Sequence, residues 1–273
     1  MKNSIHMLCC ASGGQMNSFV ITTADEKLIV IDGGYDEDAE KLVGYLRCLT
    51  GKEVPRVDAW ILSHPHMDHI CAFLEIIEKM PGSVDVDRLY YNFPSLQYIL
   101  RHQPGPSCLE RFYKDLPLFI DKAEIMTLGD TLDVGEAHFE CLYSPNPELT
   151  ANVGNNASII LMLTLGGKKT LFLGDCGVEE GECLLEFYKG TDALKADMVQ
   201  MAHHGQNGAD KSVYEAISPT ACFWNTPRWL WENDAGGGYN THFWKTIEVR
   251  KWMDDIGVKE HYVMMNGTQV VEL

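Results

Sequence analysis

The stretch VDAWILSHPHMDHICAFLEIIEKMPG, residues 57–82, decides the fold. Its first seven residues form an apolar run suited to a buried strand. Ile70, Phe73, Leu74 and Ile77 then recur at helical spacing, and Pro81-Gly82 stops the helix. Between strand and helix stand four ligand-type side chains. His64 and His66, two residues apart in an extended segment through Pro65, can face one cation. Asp68 and His69, at the start of the helix, point elsewhere and can serve a second cation a few ångströms away. Imidazole nitrogen and carboxylate oxygen suit zinc first, with manganese or iron next. A single histidine there would read as a capping or loop residue. Four such side chains in six positions after a buried strand read as a metal site.

Outward from this stretch, Phe19–Thr23 and Lys27–Asp32 form an expected hairpin that ends in Asp32-Gly33-Gly34. Ala39, Leu42, Val43, Leu46 and Leu49 then mark a helix that Gly51 caps. Residues 87–122 read as a strand and two helices. Residues 129–143 and 157–175 each read as a hairpin, the second turning at Gly166-Gly167. A helix over Glu179–Tyr188 leads to a strand, Ala196–Ala202, that ends in His203-His204-Gly205. Strand Ala221–Trp224, a helix over about His242–Ile256 and a final hairpin at Asn266-Gly267 complete the chain. The order repeats: strand, Asp32, helix, strand, histidines, then strand, Asp175, helix, strand, histidines. From Asp to histidine the interval is 32 residues in the first half and 28 in the second. Two such halves predict an α/β fold of two face-to-face sheets with helices outside. No Pro/Gly/Ser-rich linker divides them, so residues 1–273 are read as one domain.

Composition narrows the function classes. The 22 basic and 39 acidic residues give a net charge of −17, and the basic residues are scattered. Such a surface repels phosphate backbones and anionic membranes, so nucleic acid is a poor partner and a small-molecule substrate a better one. Nine cysteines without CxxC spacing read as reduced thiols rather than disulfides or thiolate ligands. The N-terminus MKNSIHMLCCASGG lacks a sustained apolar stretch, and no run approaches the ~20 residues of a membrane span. A soluble, cytoplasmic protein is expected, and a homo-oligomer is compatible with the sequence.

Asp175, in LFLGDC, is the candidate bridge between two cations, because a carboxylate has two oxygens. Asp32, in VIDGG, is better placed to orient a ligand histidine, or simply to form its turn. HxHxDH after a strand, with an upstream Asp-Gly-Gly, a downstream Gly-Asp and a late histidine, resembles the metallo-β-lactamase fold of binuclear metal hydrolases. Residues 154–158 (GNNAS) and 202–205 (AHHG) resemble the branch with DNA-uptake competence-protein domains and phosphorylcholine esterase domains. The resemblance implies a four-layer αββα sandwich and two divalent metals. It implies His64 and His66 on the first metal, Asp68 and His69 on the second, and Asp175 bridging them. His203 is expected as a ligand and His204 as a contact to substrate or leaving group.

One departure from the family pattern stands out. Many members give the first metal a third histidine from the middle hairpin, and SPNPELTANVGNNAS (144–158) has none. The alternatives are Asn155 or Asn156 through a side-chain carbonyl, a water, or an Asn-Asn pair that only makes the turn. The mechanism implied is attack by a metal-bound hydroxide, oriented by Asp68, with His204 or His242 donating to the leaving group. Five of the six tryptophans lie between Trp224 and Trp252, an aromatic stretch that forms a lid, a pocket wall or a packed loop. The leading expectation is a metal-dependent hydrolase of small phosphoesters or phosphodiesters. A nuclease or a lactone or thioester hydrolase comes next, and a non-enzymatic metal-binding module after those. Diiron redox proteins of the same fold carry acidic residues where this chain has His66 and His69, which sets that class last.

Overall fold

Alternating apolar side chains build two sheets. In the computed structural model, which describes residues 1–104 and 107–273, the first half runs β1 (Ser4–Met7), β2 (Ser18–Thr22), β3 (Leu28–Asp32), α1 (Ala39–Thr50), β4 (Arg56–Val57), β5 (Ala59–Leu62), α2 (Met67–Lys79), β6 (Asp85–Val86), β7 (Leu89–Tyr91), α3 (Leu96–His102), α4 (Cys108–Asp115) and β8 (Ala123–Ile125). The second runs β9 (Thr131–Val134), β10 (Ala137–Tyr143), β11 (Ile160–Leu165), β12 (Lys168–Phe172), α5 (Val178–Phe187), β13 (Met198–Gln200), α6 (Lys211–Ile217), β14 (Ala221–Trp224), α7 (Arg228–Trp231), α8 (Thr246–Ile256), β15 (Glu260–Val263) and β16 (Gln269–Glu272). One sheet has the order β16-β1-β2-β3-β5-β7-β8 and the other β15-β14-β13-β12-β11-β10-β9, while β4 and β6 pair separately.

Successive side chains of a strand point to opposite faces, and both faces of the second sheet are buried. Leu161, Leu163, Phe172 and Phe223 face the first sheet and share its core. Phe19 of β2 meets Phe172 at 5.1 Å and Phe223 at 5.6 Å, both edge-on. Ile160, Met162, Leu171 and Trp224 turn the other way, onto Leu184 of α5, Val213 and Ile217 of α6, and Val249 and Met253 of α8. On the first sheet's outer side, α1 contributes Leu42, Val43 and Leu46, and α2 contributes Ile70, Phe73 and Leu74. The layers are therefore helix, sheet, sheet, helix, as the sequence predicts.

Three local expectations need correction. The sequence pattern predicts no strand before Phe19, yet β1 lies between β16 and β2. Its Ser4 and His6 are buried because they have partners: Ser4 Oγ with Thr22 Oγ1 at 2.7 Å, and His6 Nδ1 with Tyr45 Oη at 2.7 Å. Asn266-Gly267 turns the chain, but β15 pairs with β14 in one sheet and β16 with β1 in the other, so the turn is a crossover and not a hairpin. The last helix starts at Thr246 and not near His242. Residues 242–245 are committed otherwise, His242 stacking on Trp244 at 3.7 Å and the Lys245 N–H donating to Asn207 Oδ1 at 2.9 Å.

Asp32 is the last residue of β3, and Ser63-His64, Asp175 and His203-His204 follow the carboxyl ends of β5, β12 and β13. The pairs β3–β5 and β12–β13 are parallel, so within each sheet these ends share one edge, where open α/β sheets place their sites. Among the described residues no helix is long and apolar enough to cross a membrane.

Candidate metal centre

The backbone at this edge is held in costly conformations. Asp32 has φ 58°, His203 φ 51° and His204 φ 57°. Non-glycine residues in this left-handed region cost about 1–3 kcal/mol each and persist where surrounding bonds fix them. Asp32 is fixed from several sides. Its Oδ1 accepts from the Ser63 N–H at 2.7 Å, and its Oδ2 from Ser63 Oγ at 2.7 Å and Asn17 Nδ2 at 2.6 Å. The same Oδ2 lies 2.7 Å from His69 Nδ1, which fixes the His69 ring with Nε2 outward. That is the orienting role the sequence suggested for Asp32.

Two groups of donors result, each with its ligand atoms within 4.8 Å of one another: His64, His66 and Asp175, and Asp68, His69, Asp175 and His204. Asp175 belongs to both. Its Oδ2 lies 3.6 Å from His64 Nε2 and 3.5 Å from His204 Nε2, and its Oδ1 lies 3.2 Å from His69 Nε2. Asp175 is positioned by its own N–H, which donates to Ser158 Oγ at 2.9 Å, while Ser158 Oγ donates to Asn155 O at 2.9 Å. The Ser158 of GNNAS thus serves Asp175 by holding its backbone.

The histidine pair is placed the other way round from the sequence expectation. His204 is fully buried, with Nδ1 donating to Asn225 O at 3.2 Å and Nε2 3.1 Å from Asp68 Oδ2. The side chain of His203 is 20% exposed, its Nδ1 donates to Asn207 O, and its Nε2 stands 3.8 Å from Asp175 without joining either group. Two consecutive left-handed residues turn the second ring inward. His242 also lies outside both groups, stacked on Trp244.

Charge at the site follows from burial against pairing. Burial alone would raise Asp68 and Asp175. The neighbouring histidines outweigh it, through the close imidazoles of His204 and His69 for Asp68 and through His204, His69 and His64 for Asp175, and hold both carboxylates below their ordinary range. Burial would lower His69 and His204, but Asp175 and Asp32 push His69 well up, and Asp175 and Asp68 push His204 up to about 9. His64, buried beside His69, is pushed well down and stays neutral.

These residues fit metal ions. His64 Nε2, His69 Nε2, His204 Nε2 and Asp175 Oδ1 are buried without hydrogen-bond partners, which is costly for polar atoms unless something else binds them. A Cβ built on Gly154 would stand 2.2 Å from His66 Nε2, so the glycine keeps a cradle open at that nitrogen. Asn156 is fully used in joining its loop to the start of α5: its Oδ1 accepts from the Gly177 N–H, and its Nδ2 donates to Ala151 O and Glu179 Oε2. Asn155 donates through Nδ2 to Asn152, but its buried Oδ1 accepts nothing.

Two contributors escaped the sequence reading. Gln15 Nε2 donates to Asp68 Oδ2 at 3.0 Å, and Gln206 Nε2 donates to Gln15 Oε1 at 3.0 Å, a tether from the loop before β2. Tyr35, half-buried after β3, is pushed up by burial and by Asp68, Asp38 and Asp175, so its phenol stays neutral near the carboxylates. No local pattern marks either residue, since both reach the site through tertiary packing.

Comparison with known proteins agrees with this geometry. A family model for the metallo-beta-lactamase superfamily matches residues 11–106, which include the HPHMDH motif. ComE operon protein 3 of Bacillus subtilis is 24% identical over 165 residues, covering 59% of this chain; the matched region is 19% of that much longer relative. The metallo-beta-lactamase fold protein YhfI from Bacillus subtilis superposes with a TM-score of 0.58 at 13% identity, over 99% of this chain and 100% of its own. Zn(2+)-bound PqqB from Methylobacterium extorquens gives 0.59 at 14%, over 99% and 100%. Motif and fold together give the chain a metallo-β-lactamase fold, with a match to that superfamily's model over residues 11–106 and a likeness to ComE operon protein 3.

Proposed function

We propose that this chain is a metal-dependent hydrolase of small phosphoesters or phosphodiesters that uses two divalent cations, zinc foremost. The observation that carries the reading is the pair of buried donor groups joined at Asp175, with unpartnered nitrogens converging on it. His64, His66 and Asp175 would hold one cation, with Asn155 Oδ1 the free oxygen nearest in sequence to the missing histidine. Asp68, His69, Asp175 and His204 would hold the other. Two such cations supply electrophilic charge and acidify a bound water from a pKa of ~15.7 toward 7. Zinc is supported by the donor chemistry and by the zinc in PqqB.

The chain's own residues then divide the work. Asp68, ionised and tethered by Gln15 and His204, orients the attacking water by accepting its hydrogen. His203, at the partly open rim, holds its ring through Nδ1–H on Asn207 O and turns Nε2 toward the site, from which the imidazolium would give its Nε2 proton to the leaving oxygen and return to the neutral Nδ1–H ring. A cavity of about 230 Å³ opens beside His66 and Asp68, walled by Met67, Ile99, Gln103, Ser107 and Gly154. Its size, and the lack of a lysine or arginine among the described residues that line it, favour a small leaving group without strong negative charge. The −17 net charge favours the same. Residues 1–273 act as one domain on this reading, since β16 at the end of the chain pairs with β1 at its start, and we place it in the cytoplasm.

The test is turnover by chelator-stripped protein reloaded with zinc or manganese. Bis-p-nitrophenyl phosphate, p-nitrophenyl phosphorylcholine, a lactone and single-stranded DNA are offered in parallel. Hydrolysis of either phosphoester supports the proposal. Hydrolysis of DNA or lactone alone, or of nothing by protein shown to hold both metals, overturns it.

A further inference from the structure

A second reactive centre, sharing no residue with the two donor groups, lies at the start of the loop between β1 and β2, the loop whose Gln15 reaches Asp68. Lys41 of α1 reaches into this loop, its Nζ 2.9 Å from Cys9 Sγ and donating to Cys9 O at 2.6 Å and Cys10 O at 3.3 Å. The Thr268 hydroxyl approaches the same sulfur at 3.5 Å and also accepts from the Cys9 N–H. Cys9 is half-buried at the edge of a 330 Å³ groove whose walls include Pro227, Trp229, Met264 and Met265. We propose that Cys9 is an activated nucleophile and a modification site for apolar electrophiles of the α,β-unsaturated carbonyl class, with Lys41 as its activating cation and the groove as the seat of the adduct.

The neighbouring cysteine sharpens the argument. Cys10 is also half-buried and lines the same groove. Burial pushes the Cys9 thiol up, but the Lys41 ammonium and the Thr268 hydroxyl outweigh it, and the net shift is down. Burial also pushes Cys10 up, with Asp38 and Cys9 adding to it, and the net shift there is up. Adjacent thiols on one groove are thus set apart by one cation's position, and the thiolate is the nucleophile. The Cys9 thiolate adds to the β-carbon and forms the C–S bond. The alkene pair moves to the α-carbon, which takes a proton from Lys41 or water, and Lys41 recovers its proton from solvent. No oxidant or leaving group is needed. The titratable and charged groups around the loop and groove are Lys41, Asp38, Cys10, Tyr45 and Arg228, of which Lys41 alone is within bonding distance of the Cys9 sulfur.

The experiment is pulse labelling of the full chain with limiting N-ethylmaleimide across a pH series, each cysteine being read by fragment-resolving peptide mass spectrometry. Cys9 is expected to label first at neutral pH, ahead of Cys10 beside it and of the more exposed Cys48. In Lys41→Met that lead should be lost and the Cys9 labelling midpoint should move to higher pH, whereas Lys41→Arg keeps the lead. A loop merely loosened by the substitution would speed Cys10 along with Cys9 without moving the Cys9 midpoint. Equal or faster labelling of Cys10 or Cys48 in the wild type overturns the proposal, as does an unchanged Cys9 midpoint in Lys41→Met.

Discussion

Gly154→Ala should cost the protein one metal and little else. Gly154 sits at φ −68° and ψ −52°, ordinary right-handed helical values, so alanine meets no backbone strain there. Its added methyl would stand 2.2 Å from His66 Nε2, against an ordinary contact that begins at 3.4 Å, so one side must give by about 1.2 Å. The atom in the way is the far end of the His66 ring, which can swing aside without moving the backbone. Ligand atoms are placed to within roughly ±0.2 Å in a working metal site, so a 1.2 Å displacement removes His66 as a donor. The fold should tolerate the change. Overpacking costs about 1–3 kcal/mol and replacing glycine in a compatible conformation returns about 0.4–1, leaving at most ~2.6 kcal/mol. The assay is calorimetric titration of stripped protein with zinc, checked by elemental analysis, beside thermal melts of the metal-free forms. Wild type should take two equivalents and Gly154→Ala one, with the metal-free Tm lowered by no more than several degrees. A variant that still binds two equivalents with unchanged affinity refutes the reasoning.

Four further outcomes follow from the same geometry. His204→Ala should lose the cation of the second group while His203→Ala keeps both and loses turnover, which metal analysis beside kcat will separate. Gln15→Leu removes a donor from Asp68 and should lower metal affinity or kcat/KM by about 10–100-fold, the range for residues that hold a ligand in place. Asp68→Ala should abolish turnover in an enzyme, whereas a binding module would retain its binding. Burial holds the Glu180 carboxyl well above its ordinary value, outweighing the opposing effects of Cys176 and the Ser158 backbone. A raised folded-state pKa contributes stability that is fully present below the unfolded value and lost as pH rises through the folded one. Glu180→Gln should therefore raise Tm at pH 8 relative to wild type by more than at pH 4, and an equal shift at both would contradict the assignment.

Much of the centre was legible because its information is local. HPHMDH packs four donors between a strand and a helix, and Asp32 and Asp175 stand at strand ends that apolar runs reveal. The rest is set by tertiary structure. Which of His203 and His204 turns inward depends on two successive left-handed residues, a conformation that AHHG does not announce. Gln15 reaches Asp68 from a polar loop with no spacing to mark it. Gly154 carries no turn or cap signal, because its need for a missing Cβ comes from a ring 88 positions away in sequence. Asn266-Gly267 signals its turn correctly, Gly267 having φ 96°, but a turn does not say which sheet receives the next strand. β1 was hidden because Ser4 and His6 read as exposed until Thr22 and Tyr45 supply their hydrogen bonds.

The central claim, two cations joined by Asp175, is tested most directly by an anomalous-difference map from zinc-loaded crystals. The account predicts two peaks, one bounded by His64, His66 and Asp175 and the other by Asp68, His69, Asp175 and His204, with His203 beyond bonding distance of both. A single peak, a peak bound by His203 in place of His204, or no peak at Asp175 would contradict it.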